Sequence, residues 1–259
     1  MGELPELRDL EISGNTISEF PAALAENLQK VVSLRMNDTK LTTLPSNIFG
    51  MKMMSTFDFR NNPNLNALPE NRGEGVRMGG LLLDNCGFTS IPKIAKGRLR
   101  TLTLANNKIT SVSESELNGL SDELETLVLD GNKINTFPKM NSESLIELKL
   151  DDCGLSAIPD LSALPNLRSL ALAKNNINAI GDGVFSKNPY ISILDFSDNA
   201  GLTSFSANAG IYLKEQEDVI KGVTEKVSKP FYLHCVNVDN CPSLTWQVPS
   251  TWCCIENFK

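Results

Sequence analysis

The apolar positions of this chain recur at one spacing along nearly its whole length. In the stretch LRTLTLANNKI, from Leu99 to Ile109, apolar residues stand at offsets 0, 3, 5 and 10 from Leu99, and an asparagine stands at offset 8. The alternation around Leu102 and Leu104 is typical of a short strand that is buried on one face. The same spacing begins again near residues 7, 31, 54, 78, 99, 124, 145, 167, 191 and 233. The pattern predicts ten short strands, one in each of ten coils, numbered 1 to 10 from these starts.

The asparagine at offset 8 has a physical role in such a coil. After each strand the chain must turn, and the turn leaves backbone N–H and C=O groups inside the stack. An amide side chain offers both donors and acceptors to these groups, and the small Cys and Thr side chains can take its place. We therefore expect a structural ladder of buried side chains with ten rungs: Asn15, Thr39, Asn62, Cys86, Asn107, Asn132, Cys153, Asn175, Asn199 and Cys241.

This spacing resembles that of leucine-rich repeats, in particular the typical class with repeats of about 21–25 residues. The returns often hold an apolar residue before a proline, as at Pro21, Pro45 and Pro138, and proline suits an extended return because it has no N–H to satisfy. The resemblance covers nearly the whole chain and implies a single domain over 1–259. It implies an α/β repeat solenoid: a right-handed superhelix with a curved parallel β-sheet on its concave face and extended, 3₁₀ or short helical returns on its convex face.

Two segments depart from the repeat. The last two starts are 42 residues apart, so residues 206–230 hold an insertion before the last repeat. Within it, apolar residues such as Val219 and Val223 recur at helical spacing, which predicts a helix from about Leu213 to Val227. This helix is expected either to pack on the edge of the solenoid or to contact a ligand. Residues 245–259 are rich in aromatic side chains, and we expect them to form a C-terminal cap over the last coil.

The charge balance narrows the class of partner. The chain has 24 basic and 31 acidic residues and a formal charge of −7. This excess of acids argues against nucleic acid or an anionic membrane as the main partner, because both are themselves negative. The sequence has no apolar run of the roughly 18 residues that a membrane span needs, and its first ten residues lack the layout of a signal peptide. We expect a protein or peptide partner, more plausibly basic, with no nucleic acid and no membrane insertion.

The six cysteines fall into two groups. Three are rungs of the ladder and are expected to be buried, reduced thiols. The other three, Cys235, Cys253 and Cys254, lie near one end of the solenoid, where a disulfide from Cys235 to one of the adjacent pair is conceivable. Such a bridge would imply an oxidising compartment, whereas a reduced cap is the alternative. An extracellular or cell-surface location is favoured over a cytoplasmic one.

The concave face is where binding residues are expected. Offsets 2, 4, 6 and 7 of each coil should point into the opening, and acidic residues outnumber basic ones there. In the middle coils the same columns turn apolar, which resembles a binding hot spot. A solvated face whose charges pair with one another is the alternative, and a bound divalent cation is disfavoured because the carboxylates do not follow a recognised metal loop. The candidate binding residues are Leu82, Asp84, Thr103, Ala105, Val128, Asp130, Lys149 and Asp151.

Catalytic chemistry has no support in the sequence. The single histidine, His234, directly precedes Cys235, and neighbours on a strand point to opposite faces, so a Cys–His pair is not expected. The glycine-rich stretch GEGVRMGG lacks the Lys-Ser/Thr ending of a phosphate loop. We expect no catalytic residues, no metal and no cofactor.

Two functions of different classes remain. The leading hypothesis is a non-catalytic recognition module that binds a protein or peptide through its concave sheet, as in the ligand-binding part of a receptor-like or secreted protein. The alternative, which rests on family analogy, is a structural spacer or regulatory domain of a larger chain, such as a leucine-rich repeat kinase, with an idle concave face.

Overall fold

The chain folds as a stack of coils around a parallel sheet. A computed structural model describes residues 4, 6–69, 78–94, 98–210, 213–220, 223–230 and 235–245, of which 213–220 and 223–230 are described by their backbone alone. Ten three-residue strands form one sheet in chain order: β1 Asp9–Glu11, β2 Ser33–Arg35, β3 Thr56–Asp58, β4 Gly80–Leu82, β5 Thr101–Thr103, β6 Thr126–Val128, β7 Glu147–Lys149, β8 Ser169–Ala171, β10 Ile193–Asp195 and β14 Cys235–Asn237. The remaining elements are β9 Ala179–Ile180, β11 Ser204–Phe205, β12 Leu213–Ile220, β13 Val223–Pro230, the helices α1 Ala22–Asn27 and α2 Glu114–Asn118, and a 3₁₀ turn at Ile48–Gly50.

Each strand of the large sheet begins two residues after one of the ten repeat starts. Pairing is parallel, so Leu102 of β5 lies beside Leu81 of β4 and Leu127 of β6. All three leucines are fully buried, and each such side chain contributes about 1.5–3 kcal/mol on burial. The register is fixed because a slip of one residue would turn these leucines towards solvent. The predicted fold class, a repeat solenoid with a parallel sheet, is confirmed.

The amide rungs tie each coil to the coil before it. The Asn132 Nδ2 donates to the carbonyl oxygens of Leu104, at 2.9 Å, and Leu129, at 2.7 Å, while its Oδ1 accepts from the N–H of Ile109 at 3.1 Å. Leu129 belongs to the same coil as Asn132, whereas Leu104 and Ile109 belong to the preceding coil. The side chains of Asn62, Asn107, Asn175 and Asn199 make the same set of bonds.

The sulfur rungs reproduce only part of this pattern. The Cys153 Sγ donates to the carbonyl oxygen of Leu129 in the preceding coil at 3.3 Å, and Cys86 does the same to Phe59. Burial raises the pKa of Cys153 to about 12 and that of Cys86 to about 11, so both side chains are neutral thiols at physiological pH. A thiol therefore fills the slot and donates once, without the acceptor that an amide supplies.

The first rung differs from the others. Asn15 is exposed, and its Nδ2 donates only to carbonyl oxygens of its own coil, those of Ile12 and Ser13. The expectation that all ten rungs are buried is therefore wrong for Asn15, because the described residues place no coil before it. Cys241, the last rung, is partly exposed and donates to the Phe196 carbonyl at 3.3 Å.

The residue at offset 7 adopts a left-handed backbone conformation in every coil. Its φ lies between 51° and 72° in all ten. Glycine adopts this region freely, and Asn and Asp tolerate it better than other residues. Only Lys174 departs from these three residue types; the ten are Gly14, Asp38, Asn61, Asn85, Asn106, Gly131, Asp152, Lys174, Asp198 and Asn240.

The insertion is a β-hairpin, so the predicted helix from Leu213 to Val227 is wrong. Strands β12 and β13 pair antiparallel over all eight residues and form a separate two-stranded sheet. The valines that suggested helical spacing belong to a group of β-branched residues, which favour strands because their side chains are stiff at χ1. Two residues, Lys221-Gly222, separate the strands, which is the commonest length of a hairpin connection.

Several sequence predictions concern residues outside the described part of the chain. The proposed cap lies almost wholly there, together with Cys253, Cys254 and His234. So does most of the stretch GEGVRMGG, although its last glycine, Gly80, begins β4. Cys235 is exposed and forms no disulfide with another described cysteine, and a disulfide to Cys253 or Cys254 stays a prediction.

Candidate functional site

A short apolar strip crosses the middle of the concave face. The parallel register sets Leu82 of β4, Thr103 of β5 and Val128 of β6 side by side at offset 4. Ala105 lies two residues beyond Thr103 and on the same face, because side chains alternate along a strand. All four residues are partly exposed, so the strip offers apolar surface that a partner can bury.

A column of carboxylates runs beside this strip at offset 6. The Asp84 Oδ1 accepts from the N–H of Ala105 at 2.8 Å, and its Oδ2 accepts from the Thr103 hydroxyl at 2.9 Å. Two coils further on, the Asp130 Oδ1 accepts from the N–H of Asp151 at 2.9 Å, and the Asp151 Oδ1 accepts from the N–H of Ala173 at 2.7 Å. These aspartates satisfy backbone N–H groups just past the ends of the strands, which fixes their orientation.

The environment of Asp130 makes its negative charge costly. Its carboxyl is partly buried, and this desolvation raises its pKa to about 6, helped by the negative charge of Asp151 and opposed by the bond from the Asp151 N–H. Desolvation also raises the pKa of Asp151, which faces Asp195 on its other side. In both residues the Oδ2 atom accepts no hydrogen bond from the part of the chain that the structure describes.

The lysines do not neutralise these two carboxylates by direct contact. The Lys149 Nζ lies 3.1 Å from Glu147 Oε1 and pairs with that group, although its charge still lowers the pKa of both aspartates. Among the described residues, neither Asp130 nor Asp151 has an ion pair. These two carboxylates are thus oriented and partly dehydrated, yet without a cation in contact.

The charges nearer the N-terminus behave differently. Arg60 Nη2 lies 2.7 Å from Asp58 Oδ2, and the Arg60 Nε also donates to this carboxylate. Arg35 lies 3.6 Å from Glu11. This half of the concave face therefore matches the alternative of self-paired charges, whereas the region around Asp130 and Asp151 does not.

The eight candidate residues occupy four consecutive coils, from β4 to the end of β7. Sequence reasoning missed the pairing of Glu147 with Lys149, which removes the expected counter-charge of the aspartates. The sequence held a sign of this pairing, because residues two apart on a strand share a face. It also missed the left-handed offset-7 residues, although nine of the ten are Gly, Asn or Asp.

Other kinds of site find no support in the described residues. No group of three or more His, Cys, Asp or Glu side chains there is arranged to hold a metal ion. None of the helices that the structure describes has the length and apolar character needed to cross a membrane.

A groove of about 570 Å³ lies on the return side of coils 5 to 7, between Leu117, Met140 and Pro165.

The comparisons with known proteins agree with this architecture. Leucine-rich repeat family patterns match residues 98–120 and 165–215. Tsukushi of Gallus gallus is 23% identical over 204 residues, which cover 78% of this chain and 50% of Tsukushi. Decorin of Rattus norvegicus is 30% identical over 176 residues, which cover 65% of this chain and 49% of decorin. A solved structure of a leucine-rich repeat protein of Leptospira interrogans has a TM-score of 0.62 at 26% identity and covers 78% of this chain and 55% of that one.

The repeat, the sheet and these relatives together define the class: the chain is a leucine-rich repeat protein. It spans about half the length of Tsukushi, decorin and the Leptospira protein. Leucine-rich repeat proteins of this kind generally bind proteins, and their fold is typically non-catalytic. These relatives suggest a protein-interaction module as the broad functional class.

Proposed function

We propose that the chain binds a protein or peptide through the central concave face and that the bound segment carries positive charge. The observation that carries this proposal is the pair Asp130 and Asp151, two oriented carboxylates without a contacting cation among the described residues. They adjoin the apolar strip of Leu82, Thr103 and Val128. We propose further that the chain performs no catalysis and needs no cofactor.

The two parts of the site have complementary effects. Burying the apolar strip supplies affinity at roughly 25 cal/mol per Å² of apolar surface. The carboxylates attract and orient a basic partner, and they reject an acidic one, which gives specificity and a fast, salt-dependent association. Because ordinary salt screens exposed charges over about 8–10 Å, the carboxylates alone would hold a partner weakly.

An extracellular or cell-surface location belongs to this proposal. Tsukushi and decorin are proteins of the extracellular matrix or cell surface. A recognition module there would meet its partners without competition from the abundant nucleic acids of the cell interior.

The test uses a display library of random peptides, selected on the wild-type protein at pH 7.5 and low salt. We expect Arg- and Lys-containing peptides with apolar neighbours to be enriched. The double variant L82D/V128D should lose at least tenfold in affinity for them, because it buries charge against apolar groups of the peptide. The control is M53D, which places one such charge on an exposed apolar residue just before β3 and is compared with the single variants L82D and V128D.

The outcome decides between binding and an idle face. Retained affinity in a folded L82D/V128D variant would contradict the proposal and favour the spacer alternative, which the self-paired charges of coils 1 to 3 already support for that end of the sheet. Melting curves of each variant show whether the solenoid is intact.

A further inference from the structure

Among the described elements, the hairpin of β12 and β13 is a two-stranded sheet of its own. Its two strands pair with each other and with no other strand that the structure describes. The outer edge of each strand is therefore open to a further strand, because an unpaired edge offers a row of backbone donors and acceptors. A two-stranded hairpin alone is only marginally stable in water, so additional strands would stabilise it.

The register of the hairpin sets like charges opposite each other at two positions. Asp218 is opposite Glu225 near the turn, and Lys214 is opposite Lys229 at the other end. Like charges directly opposite on neighbouring strands destabilise a sheet. All four residues belong to one face, because the two members on each strand are four residues apart and opposite residues share a face. This face therefore has an acidic end and a basic end.

A second copy of the hairpin, turned by 180°, complements this charge pattern. Glu225 stands two residues before Val227, and Lys229 stands two residues after it. If β13 pairs antiparallel with β13 of a second copy about a two-fold axis at Val227, Glu225 of each copy comes opposite Lys229 of the other. Val227 comes opposite Val227 of the second copy, and such β-branched pairs are favourable on neighbouring strands. The acidic end of each hairpin then adjoins the basic end of the other.

The outer edge of β12 offers no such register. Residues that come opposite each other share a face, so among the acids of β12 only Asp218 can come opposite Lys214 of a second copy. The same register sets Glu215 opposite Glu217 of the second copy, at two places. These like-charge pairs offset the gain from the opposite charges. The charge pattern therefore favours the edge of β13.

We propose that two copies of the chain associate through the outer edges of β13 and form a four-stranded antiparallel sheet, in which Glu225 of each copy is opposite Lys229 of the other. The occupant is a second copy because a single hairpin supplies both the acidic and the basic end. An interface of this kind is closed by its two-fold axis, so it produces dimers rather than chains of molecules. The inference goes beyond the proposed function, since the hairpin is not part of the sheet that forms the concave face.

The test measures the dimer dissociation constant of the full chain by sedimentation velocity, from about 1 to 100 μM protein at low salt. Two charge reversals favour the hairpin but oppose the dimer. E225K places a lysine opposite Asp218 within the hairpin and opposite Lys229 of the second copy. K229E places a glutamate opposite Lys214 within the hairpin and opposite Glu225 of the second copy. Each should raise the dissociation constant at least about tenfold, because two attractive pairs become repulsive.

Combining the two reversals should restore the dimer. An equal mixture of E225K and K229E should form heterodimers, and the double variant E225K/K229E should form homodimers, because both arrangements again set opposite charges across the two-fold axis. Their dissociation constants should lie within about threefold of the wild-type value. The controls E143K and K52E make the same charge changes at exposed residues of the solenoid and should leave the dissociation constant unchanged.

The remaining outcomes would overturn the inference. A wild type that stays monomeric at about 100 μM would show that the lysines of β13 protect an open edge, and the proposed concave site would be unaffected. A dimer that neither reversal weakens would have its interface elsewhere. So would a dimer that is weakened but recovers neither in the mixture nor in the double variant. Circular dichroism melting curves show whether the solenoid is intact in each variant.

Discussion

At the scale of single residues, stability depends on whether a polar side chain finds all its partners. Asn132 is fully buried and bonded to three backbone groups, whereas Asn15 is exposed and bonded only within its own coil. The same residue type at the same offset should therefore contribute very different amounts to the free energy of unfolding in the two coils. The cost of losing a side chain is set by the backbone groups that remain buried without it.

Replacing the two asparagines tests this difference. N132A leaves the buried Ile109 N–H without an acceptor, whereas the Leu104 and Leu129 carbonyl oxygens keep donors in Asn107 and Cys153. Because one unsatisfied buried group costs about 1–3 kcal/mol, we expect N132A to lower the free energy of unfolding in urea by about 1–3 kcal/mol. The matched variant N15A should cost less than about 1 kcal/mol, and equal losses for the two would contradict this account of the ladder.

Lys174 offers a stabilising substitution. It holds a φ of 56° without the local hydrogen bonding that favours Asn in this region. K174N should raise the free energy of unfolding by about 0.5–1 kcal/mol. K108N, at an exposed lysine whose φ is not positive, should be neutral or slightly destabilising. No gain for K174N over K108N in urea denaturation would show that the lysine is not strained.

Asp130 links stability to pH in the opposite sense to most aspartates. Its folded pKa, about 6, lies above its unfolded value, so the folded state binds the proton more tightly. The stability it contributes is complete below about pH 4 and is lost as the pH rises through 6. D130N should therefore stabilise the protein at pH 7, by about 1 kcal/mol after allowance for solvent screening, and should have little effect at pH 4.

Asp160 serves as the control of opposite sign. Hydrogen bonds from Ser162 lower its pKa, so its contribution is present above the unfolded pKa and is lost as the pH falls. D160N should reduce stability at pH 7, where D130N increases it. Urea denaturation of the three proteins from pH 4 to 8 measures both effects, and a D130N curve parallel to that of the wild type would contradict the assignment.

At the scale of secondary-structure elements, local sequence signals determine where the short helices and strands form. Sequence analysis interprets some of these signals correctly and others wrongly. Helix α2 begins with a capping box in which the Ser113 hydroxyl accepts from the Glu116 N–H at 3.2 Å and the Glu116 carboxylate accepts from the Ser113 N–H at 2.7 Å. A helix of five residues makes few internal hydrogen bonds, so its ends matter most.

Removing this cap should be measurable. We expect S113A to lower the free energy of unfolding by about 1 kcal/mol, because the first-turn N–H groups lose their acceptor. S111A, at an exposed serine two residues earlier, should change it by less than about 0.5 kcal/mol. Indistinguishable urea curves for S113A and S111A would show that the return is held by packing alone.

The sequence predicts the repeated elements well because ten copies of one pattern reinforce each other. Each strand has only three residues, yet the stacked leucines and the rung at offset 8 determine its position. The insertion has no such repetition, and the spacing of Val219, Val223 and Val227 fits a helix while their β-branched side chains favour a strand. The ion pairs could not be predicted from the sequence either. Asp58 pairs with Arg60, and Lys149 pairs with Glu147, through contacts that depend on side-chain conformation.

At the scale of the whole molecule, contacts are made between neighbouring coils. Each strand of the large sheet pairs only with the strands beside it in the order of the sheet. The central coils thus have a neighbour on both sides, while the described part of coil 1 has one. In stacked repeats, stability approximates a sum of repeat and interface terms.

Hydrogen exchange should reveal this graded stability. The Ile12 N–H, which donates to the Arg35 carbonyl, should exchange at least tenfold faster than the Leu104 N–H, which donates to Val128. The two bonds have similar lengths, 3.0 and 2.9 Å. A difference between the two exchange rates therefore reports the stability of the surrounding coils rather than the strength of the bond. Equal protection from coil 1 to coil 8 would show that the solenoid opens in one step.

The side chain that completes a coil is carried by the coil that follows it. Met36 and Leu41 in coil 2 receive their bonds from Asn62, and Leu104 and Ile109 in coil 5 receive theirs from Asn132. During synthesis, a coil that has left the ribosome therefore keeps open backbone groups until the next one emerges some two dozen residues later. The molecule has a built-in direction of assembly, and shortening it from its C-terminal side exposes main-chain polar groups that shortening from the other side does not.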